Sequence, residues 1–284
     1  MRSTIADIAA IRPKSLVHPE SWHCQVAQAN TVMVVITGSR PLGVATETSD
    51  WDETAVFVEE PRHIFSLDGQ IDVHKDAVGH DGKVYGVNHR MSAGDYERVS
   101  YSLRHYLRLL CKGNPNVLQT LYSPDDCAEI SHPIMEELRD VRDEFFTRDA
   151  VGAFFGICNG ELTRLMGERS RKANRPDLIE KFGYDTKSAS HIIRNAHAGI
   201  TLIEEGHMDI PIRPEVAEHI VAVRNGAYTF DEIVEEAKSW LRRLEEARDR
   251  HRDRLESKRV DRERWSRWLW ESHRRWWAEC GGHL

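Results

Sequence analysis

The sequence has few cysteines and no long apolar run, and both absences exclude whole classes of protein. Its five cysteines are scattered, and no two form a CxxC pair, which argues against a disulfide scaffold and a structural zinc ribbon. Apolar segments fall short of the ~18 residues that a membrane helix needs, and the first residues lack a signal-peptide core. No Walker loop, serine elbow or HExxH motif occurs. We therefore expect a cytoplasmic protein in a reducing compartment.

Charge is distributed unevenly along the 284 residues. The whole chain has a formal net charge of −7, and 40% of its residues are apolar, enough for a real core. The stretch from Trp240 to Trp277 contains 13 basic and 8 acidic residues, a local charge of +5, so the rest carries −12. It also holds six of the eight tryptophans. This basic, aromatic tail leaves nucleic-acid binding open despite the acidic bulk.

Apolar patterning divides the chain into a mixed part and a helical part. Continuous β-branched runs and turn signals predict strands at 32–36, 54–58 and 96–100. Helical spacing predicts helices at 103–110, 133–146, 148–168, 186–205, 213–223 and 231–277. We therefore predict an α+β protein, with an α/β domain over residues 1–125 and an α-helical domain over 126–284 that includes the terminal helix.

The most informative stretch combines a turn with two closely spaced carboxylates. Gly38 and Ser39 follow the first predicted strand, so backbone N–H groups and a hydroxyl can approach a phosphate there. Asp50 and Asp52 are two residues apart, which places both on one face of an extended segment. Two such carboxylates suit Mg²⁺ or Mn²⁺. A phosphate-binding turn beside a metal site is the arrangement that nucleotidyl transfer needs.

Gly-Ser followed by Asp-x-Asp resembles the signature of the DNA polymerase β-like nucleotidyltransferase superfamily. Within it, the chain resembles the RlaP/YcgL-like family of predicted nucleotidyltransferases. The stretches that carry this resemblance are Tyr101–Leu110 with Lys112–Pro115, Gly183–Lys187 with His191 and Arg194, Ile212–Pro214 with Arg224–Gly226, and Asp261–Arg264 with Arg274–Trp276. The resemblance covers nearly the whole chain. It implies a polymerase β-like domain, built as a mixed sheet with flanking helices, and a helical C-terminal part.

The superfamily uses a third carboxylate on a neighbouring strand. Aligning the chain on Tyr101 places this residue at Glu97, where the family usually has an aspartate. Glutamate is one methylene longer, so it still serves as a metal ligand or as a base toward an attacking hydroxyl. Asp95 and Asp72 are the alternatives.

A second set of candidates lies in the helical part. Lys187, His191 and Arg194 have the spacing of one helical face, and Asp185 or Thr186 can cap the helix that carries them. A positive face beside a helix N-terminus favours a triphosphate, and the resemblance supports this nucleotide-binding interpretation. The alternative is a buried structural histidine with two surface ion-pair partners.

The terminal helix has a tryptophan stripe with two interpretations. The stripe consists of Trp265, Trp268, Leu269, Ser272 and Trp276. Its spacing predicts a helix that docks on the core through tryptophans. The alternative is contact with RNA, in which arginines neutralise phosphates and Trp270 or Trp277 stacks on bases.

Together these residues predict a metal-dependent nucleotidyltransferase. Asp50, Asp52 and Glu97 hold one or two Mg²⁺ or Mn²⁺ ions, and Gly38 and Ser39 bind the β- and γ-phosphates of an NTP. The favoured acceptor is an RNA 3′ end, such as a tRNA or a repair substrate. This choice rests on the family's proposed association with RNA repair and on the tail. Alternatives are a protein hydroxyl, a small molecule, or a non-catalytic nucleotide- or RNA-binding module.

Overall fold

The structure is a computed structural model that describes residues 22–65, 67, 71–80, 83–85, 93–167 and 175–280. By internal contacts the chain forms two compact units. The first comprises Met1–Cys111, Thr120–Arg142 and Asp261–Leu284, and the second comprises Lys112–Gln119 and Asp143–Val260. The units alternate along the sequence, whereas the prediction has one boundary at residue 125. They alternate because the terminal helix packs on elements of the first unit.

The first unit contains a six-stranded mixed sheet. Its strands are β1 (Thr31–Thr37), β2 (Trp51–Phe57), β3 (Val73–Val78), β4 (Val84–Tyr85), β5 (Tyr96–Ser102) and β6 (Ala128–Ser131). Their order across the sheet is β4-β3-β5-β2-β1-β6. β2 and β5 are parallel, and the other neighbouring pairs are antiparallel. A mixed sheet followed by a mostly helical remainder confirms the predicted α+β class.

The helices, in chain order, are α1 (Trp22–Ala29), α2 (Pro61–Ile64), α3 (Leu103–Leu110), α4 (Pro115–Leu121), α5 (Pro133–Asp140), α6 (Arg148–Leu165), α7 (Pro176–Phe182), α8 (Thr186–Glu204), α9 (Pro214–Arg224), α10 (Phe230–Arg250), α11 (Arg252–Glu256) and α12 (Arg262–Glu279). In the first unit, α3 packs on β2 and β5. In the second, α8 packs against α6, α9 and α10. None of these helices is both long and apolar enough to cross a membrane.

The apolar pattern of the sequence predicts correctly those strands that consist of a continuous apolar run. β1 is buried over Val32–Ile36, as predicted, because both faces of this strand are covered. β6 is not among the predicted strands and lies in the segment assigned to the helical domain. Its sequence, Ala-Glu-Ile-Ser, is short and mostly polar, and Ile130 is 39% exposed. An edge strand of this kind leaves no apolar periodicity in the sequence.

The prediction of one helix over 231–277 is wrong. The segment forms α10, α11 and α12, with α10 ending at Arg250 and α12 beginning at Arg262. The side chain of Asp261 accepts a hydrogen bond from the backbone N–H of Arg264 at 2.9 Å and so caps α12. The apolar stripes of α10 and α12 belong to different units, so the chain breaks between them.

Tryptophans dock α12 within the first unit, which confirms the packing interpretation. The indole N–H of Trp277 donates to the carbonyl oxygen of Glu59 at 2.9 Å, and that of Trp276 donates to Oδ1 of Asn30 at 3.0 Å. Trp277 is 7% exposed, so its assignment as a base-stacking residue is wrong. Trp270 is 55% exposed.

Candidate active site

The turn after β1 closes onto the carboxylate of Asp52. Thr37, the last residue of β1, is paired with Asp52 on β2. Gly38 follows with a φ of 76°, a left-handed conformation that glycine adopts readily. A Cβ atom at Gly38 would lie 2.0 Å from Oδ2 of Asp52. Glycine is therefore required both for the backbone conformation and for the close approach.

Parallel pairing of β2 with β5 places Asp52 opposite Glu97. Paired residues on neighbouring strands direct their side chains to the same face, and Asp50 shares that face because it precedes Asp52 by two residues. All three side chains are partly exposed. The sheet thus brings Asp50, Asp52 and Glu97 to one face, at the end where β1 stops and β2 and β5 begin.

Asp95 precedes Glu97 by two residues, so an extended chain would direct both side chains to the same face. The environment of Asp95 is nevertheless different. Asp95 is 2% exposed, and its Oδ1 accepts a hydrogen bond from the backbone N–H of His80 at 3.1 Å. Nδ1 of His80 lies 3.2 Å from the same oxygen. The carboxylate of Asp95 is thus buried and bonded to His80, in the segment that precedes β5. Glu97 is therefore favoured over Asp95 as the third carboxylate.

Asp72 lies at the other end of the sheet. Its carbonyl oxygen accepts from the backbone N–H of Ser102, five residues along β5 from Glu97, or roughly 16 Å at the rise of a strand. Its carboxylate contacts Arg108 at 2.9 Å. Burial raises the pKa of Asp72, but the hydrogen bond and charge of Arg108 outweigh it and lower that pKa overall. Asp72 is an ion-pair partner, remote from the other carboxylates.

Lys75 on β3 compensates the charge of Glu97. Its Nζ lies 2.6 Å from Oε2 of Glu97, and both side chains are mostly buried. Sequence reasoning missed this contact, because a lysine on a third strand gives no local signal. In the described residues, the ligand oxygens of Asp50, Asp52 and Glu97 do not all lie within 4.8 Å of one another.

A tighter group of candidate metal ligands lies in the second unit. Ligand atoms of Glu205, His207 and Asp209 all lie within 4.8 Å of one another. Arg213 makes ion pairs with both carboxylates, at 2.8 Å from its Nε to Oδ2 of Asp209. The guanidinium thus compensates the acidic charge of this group, which is an ion-pair network.

Ser39 and Arg40 complete the turn in different ways. The Oγ of Ser39 is buried and has no hydrogen-bond partner in the described part of the chain. Arg40 donates to the carbonyl oxygens of Ser49 at 3.1 Å and Asp50 at 3.2 Å. Its guanidinium carbon also lies 3.7 Å from the ring centroid of Trp51. Arg40 therefore ties the turn to the segment that carries the aspartates, a role that sequence reasoning did not assign.

The opposite face of the same strands holds a buried ion pair that the sequence does not predict. Glu53 and Arg98 are register partners on β2 and β5, and Arg98 donates to Oε2 of Glu53 at 2.7–2.8 Å. The hydroxyl of Tyr96 donates to the same oxygen. Because Glu53 follows Asp52 and Arg98 follows Glu97, this pair holds the register that aligns the two carboxylates.

The predicted nucleotide-binding residues of the second unit lie along α8. The carboxylate of Asp185 accepts from the backbone N–H groups of Lys187 and Ser188 at 3.1 Å, so Asp185 is the cap and α8 begins at Thr186. Lys187 and His191 are both partly exposed. The structure thus confirms the predicted helix start and the shared face.

His191 sits among cations of the second unit. Burial is the largest cause that lowers the pKa of His191 well below its ordinary value, followed by the charges of Arg194, Lys187, Arg175 and Arg224. The imidazole is therefore neutral at physiological pH, and basic side chains lie near it, of which Arg175 is paired with Asp185 at 2.9 Å. This environment suits a bound anion.

Comparison with known proteins identifies the class and then the family. The family model that matches the chain places the chain's mixed sheet, with the Gly-Ser turn and the Asp-x-Asp segment, in the DNA polymerase beta class. The family model described as RlaP, an RNA repair pathway DNA polymerase beta family, matches residues 18–271. The chain belongs to this family.

Similarity to individual proteins is low. No curated protein matches the chain. Among solved structures, a nucleotidyltransferase-like protein from Exiguobacterium sibiricum 255-15 is 11% identical, with 79% of this chain and 71% of that chain covered. The TM-score between the two structures is 0.29.

Proposed function

We propose that this chain transfers a nucleoside monophosphate from an NTP to the 3′ hydroxyl of an RNA, such as a tRNA or a repair substrate. The observation that carries the proposal is the pairing of Asp52 with Glu97, with Gly38 packed against Asp52. The family description supports an RNA acceptor, since it names an RNA repair pathway.

The residues at this end of the sheet fit a divalent cation. Asp50, Asp52 and Glu97 offer only carboxylate oxygens, which Mg²⁺ and Mn²⁺ prefer. These three residues would hold the ion. The buried, unpartnered Oγ of Ser39 is a suitable donor to a phosphate oxygen in the adjoining turn. A bound divalent ion neutralises phosphate charge and lowers the pKa of the attacking hydroxyl.

The protein's own residues bind and orient the reactants. The acceptor oxygen forms a bond to the α-phosphorus, the bond from that phosphorus to the β-bridging oxygen breaks, and pyrophosphate leaves. The hydroxyl proton passes to a carboxylate oxygen of Glu97. Gly38 and Ser39 bind the outer phosphates through a backbone N–H and a hydroxyl. Positioning and charge stabilisation supply most of the catalysis in such a reaction.

We further propose that Lys187, His191 and Arg194 bind the nucleotide. Two observations support this role: the shared face on α8 and the basic side chains near His191. The substitutions Arg194→Gln and Lys187→Met are each expected to raise the NTP concentration needed for the half-maximal rate.

The acceptor is tested by incubation with each α-³²P-labelled NTP, Mg²⁺ or Mn²⁺, and total RNA or total protein. We expect label on RNA, lost when the 3′ ends are blocked by periodate oxidation, and absent with Asp52→Asn. A γ-labelled NTP should leave the RNA unlabelled, because pyrophosphate departs. Label on protein alone would refute the proposal that RNA is the acceptor. If no acceptor led to pyrophosphate release, the proposed nucleotidyltransferase activity would be refuted.

A further inference from the structure

The second unit contains a pocket of about 390 Å³ that the reaction described above does not use. Cavities of roughly 300–1,000 Å³ are typical of ligand sites. It lies where the first turns of α6 meet the end of α10 and α11. The principal lining residues are Arg148, Gly152, Phe155, Arg248, Arg252 and Leu255.

The lining offers an exposed arginine to an anion. Arg148 is exposed and makes no ion pair or hydrogen bond with any residue in the described ranges. Arg248 pairs with Asp249 and with Glu245, each at 2.9 Å, and Arg252 pairs with Asp249 at 3.1 Å. The lining itself holds three guanidinium groups and one carboxylate, that of Glu256, and Arg148 is the one of these arginines with no carboxylate partner among the described residues. The first turn of α6 adds the partial positive charge of a helix N-terminus.

The same pocket offers a flat, apolar wall. Phe155 is partly exposed, and the guanidinium carbon of Arg248 lies 5.1 Å from its ring centroid. Gly152 lies nearly one turn earlier on α6, and a Cβ atom there would meet nothing within 4 Å. Open backbone and an aromatic ring side by side leave room for a planar group. A ligand with both a planar ring and a phosphate matches this combination.

We propose that the pocket binds one nucleotide of a single-stranded RNA, with a phosphate at Arg148 and Arg252 and a base against Phe155 and Gly152. The inference rests on the proposed function, since it assigns a binding site to that function's acceptor. Phosphate neutralisation and stacking on aromatic side chains are the two interactions by which proteins bind single strands without sequence preference. An acidic peptide is a poorer match, because it would supply negative charge for the arginines but no planar base to lie against Phe155.

The test is equilibrium binding of a 5′-fluorescein-labelled 12-nucleotide single-stranded RNA, measured by anisotropy without NTP. Gly152→Leu fills the pocket, and leucine is a better helix former than glycine, so the fold is retained. Gly156→Leu is the matched control, because a Cβ atom at Gly156 would also meet nothing within 4 Å and Gly156 does not line the pocket. AMP is titrated against each protein as a second ligand.

We expect Gly152→Leu to weaken RNA binding by at least about 5-fold, the loss of one stacked base, and Gly156→Leu to bind as the wild type does. Arg148→Gln should weaken binding and reduce the slope of log K against log salt by about 0.7. Unchanged RNA binding in Gly152→Leu, an equal loss in Gly156→Leu, or a pocket-dependent affinity for AMP without one for RNA would overturn the proposal. These outcomes concern binding alone, so a wild type that binds RNA without transferring label would contradict only the proposed function.

Discussion

Gly38 and Asp52 approach so closely that a single methyl group at Gly38 would overlap the Asp52 carboxylate, with 2.0 Å between Cβ and Oδ2. The contact joins the end of β1 to the start of β2, which are already paired in the sheet. It fixes the position of a candidate phosphate-binding turn relative to a candidate metal ligand. The turn and the carboxylate therefore act as one unit, and a change in either displaces the other.

Gly38→Ala is expected to reduce nucleotidyl transfer by at least about 100-fold, since a displacement of 1 Å has this effect in a positioned site. The control is Gly206→Ala, because Gly206 has a φ of 77° and nothing within 4 Å of a Cβ. Both variants have the backbone cost of alanine in a left-handed conformation, about 1 kcal/mol. Rates are measured as pyrophosphate release, and equal rates in the two variants would contradict the expected effect of the Gly38–Asp52 contact.

Lys75→Met is expected to lower the Mg²⁺ concentration for half-maximal activity roughly 3- to 10-fold, because one positive charge leaves the neighbourhood of Glu97. Lys238→Met is the control, since Lys238 forms a similar pair with Glu235, at 2.8 Å, on the surface of α10. A Mg²⁺ titration of pyrophosphate release measures the effect. A rise in the Mg²⁺ requirement of Lys75→Met would show that Lys75 assists the site in another way.

Arg98→Met is expected to lower the free energy of unfolding by about 3–5 kcal/mol, because it removes the cation that pairs with the buried carboxylate of Glu53 and leaves that carboxylate the neutral hydroxyl of Tyr96 as a donor. Arg62→Met is the matched control: Arg62 pairs with Glu60 at 2.7 Å but is 73% exposed, so its loss should have an effect below about 1 kcal/mol. Urea unfolding measures both. Equal effects would mean that Arg98 does not hold the register of β2 and β5.

His191 should make stability depend on pH. Its pKa in the folded protein lies well below 6.5, so the unfolded chain binds the additional proton as the pH falls through 6.5. Its contribution is complete above that pH and declines below it. Urea midpoints between pH 7.5 and 5.5 should therefore fall more for the wild type than for His191→Gln. Parallel pH profiles would contradict the lowered pKa of this imidazole.

The sequence predicts those parts of the fold and site that depend on local pattern. β1 and α3 follow from continuous apolar runs and helical spacing, and the turn at Gly38 follows from its residue types. The position of Glu97 comes from the family resemblance, and the structure pairs it with Asp52. Each of these features lies within a short stretch of chain.

Features that depend on tertiary partners could not be predicted. β6 is a polar four-residue edge strand whose pairing with β1 is not encoded in its own composition. The contact of Lys75 with Glu97, the pair of Glu53 with Arg98, and the break before α12 all depend on elements distant in sequence. The sequence offers Trp277 as a residue that stacks on RNA bases, but this residue is buried in the structure. The helical period alone does not show how wide the buried side of α12 is.

The most direct test of the proposed activity is metal-dependent pyrophosphate release from an NTP and RNA, compared in four proteins: the wild type, Asp52→Asn, Glu97→Gln and Asp72→Asn. We expect release with Mg²⁺ or Mn²⁺ in the wild type and in Asp72→Asn, whose carboxylate lies at the far end of the sheet. Release should fall at least about 100-fold in the other two variants. Full activity in Asp52→Asn and Glu97→Gln would contradict the assignment of these two carboxylates to the active site.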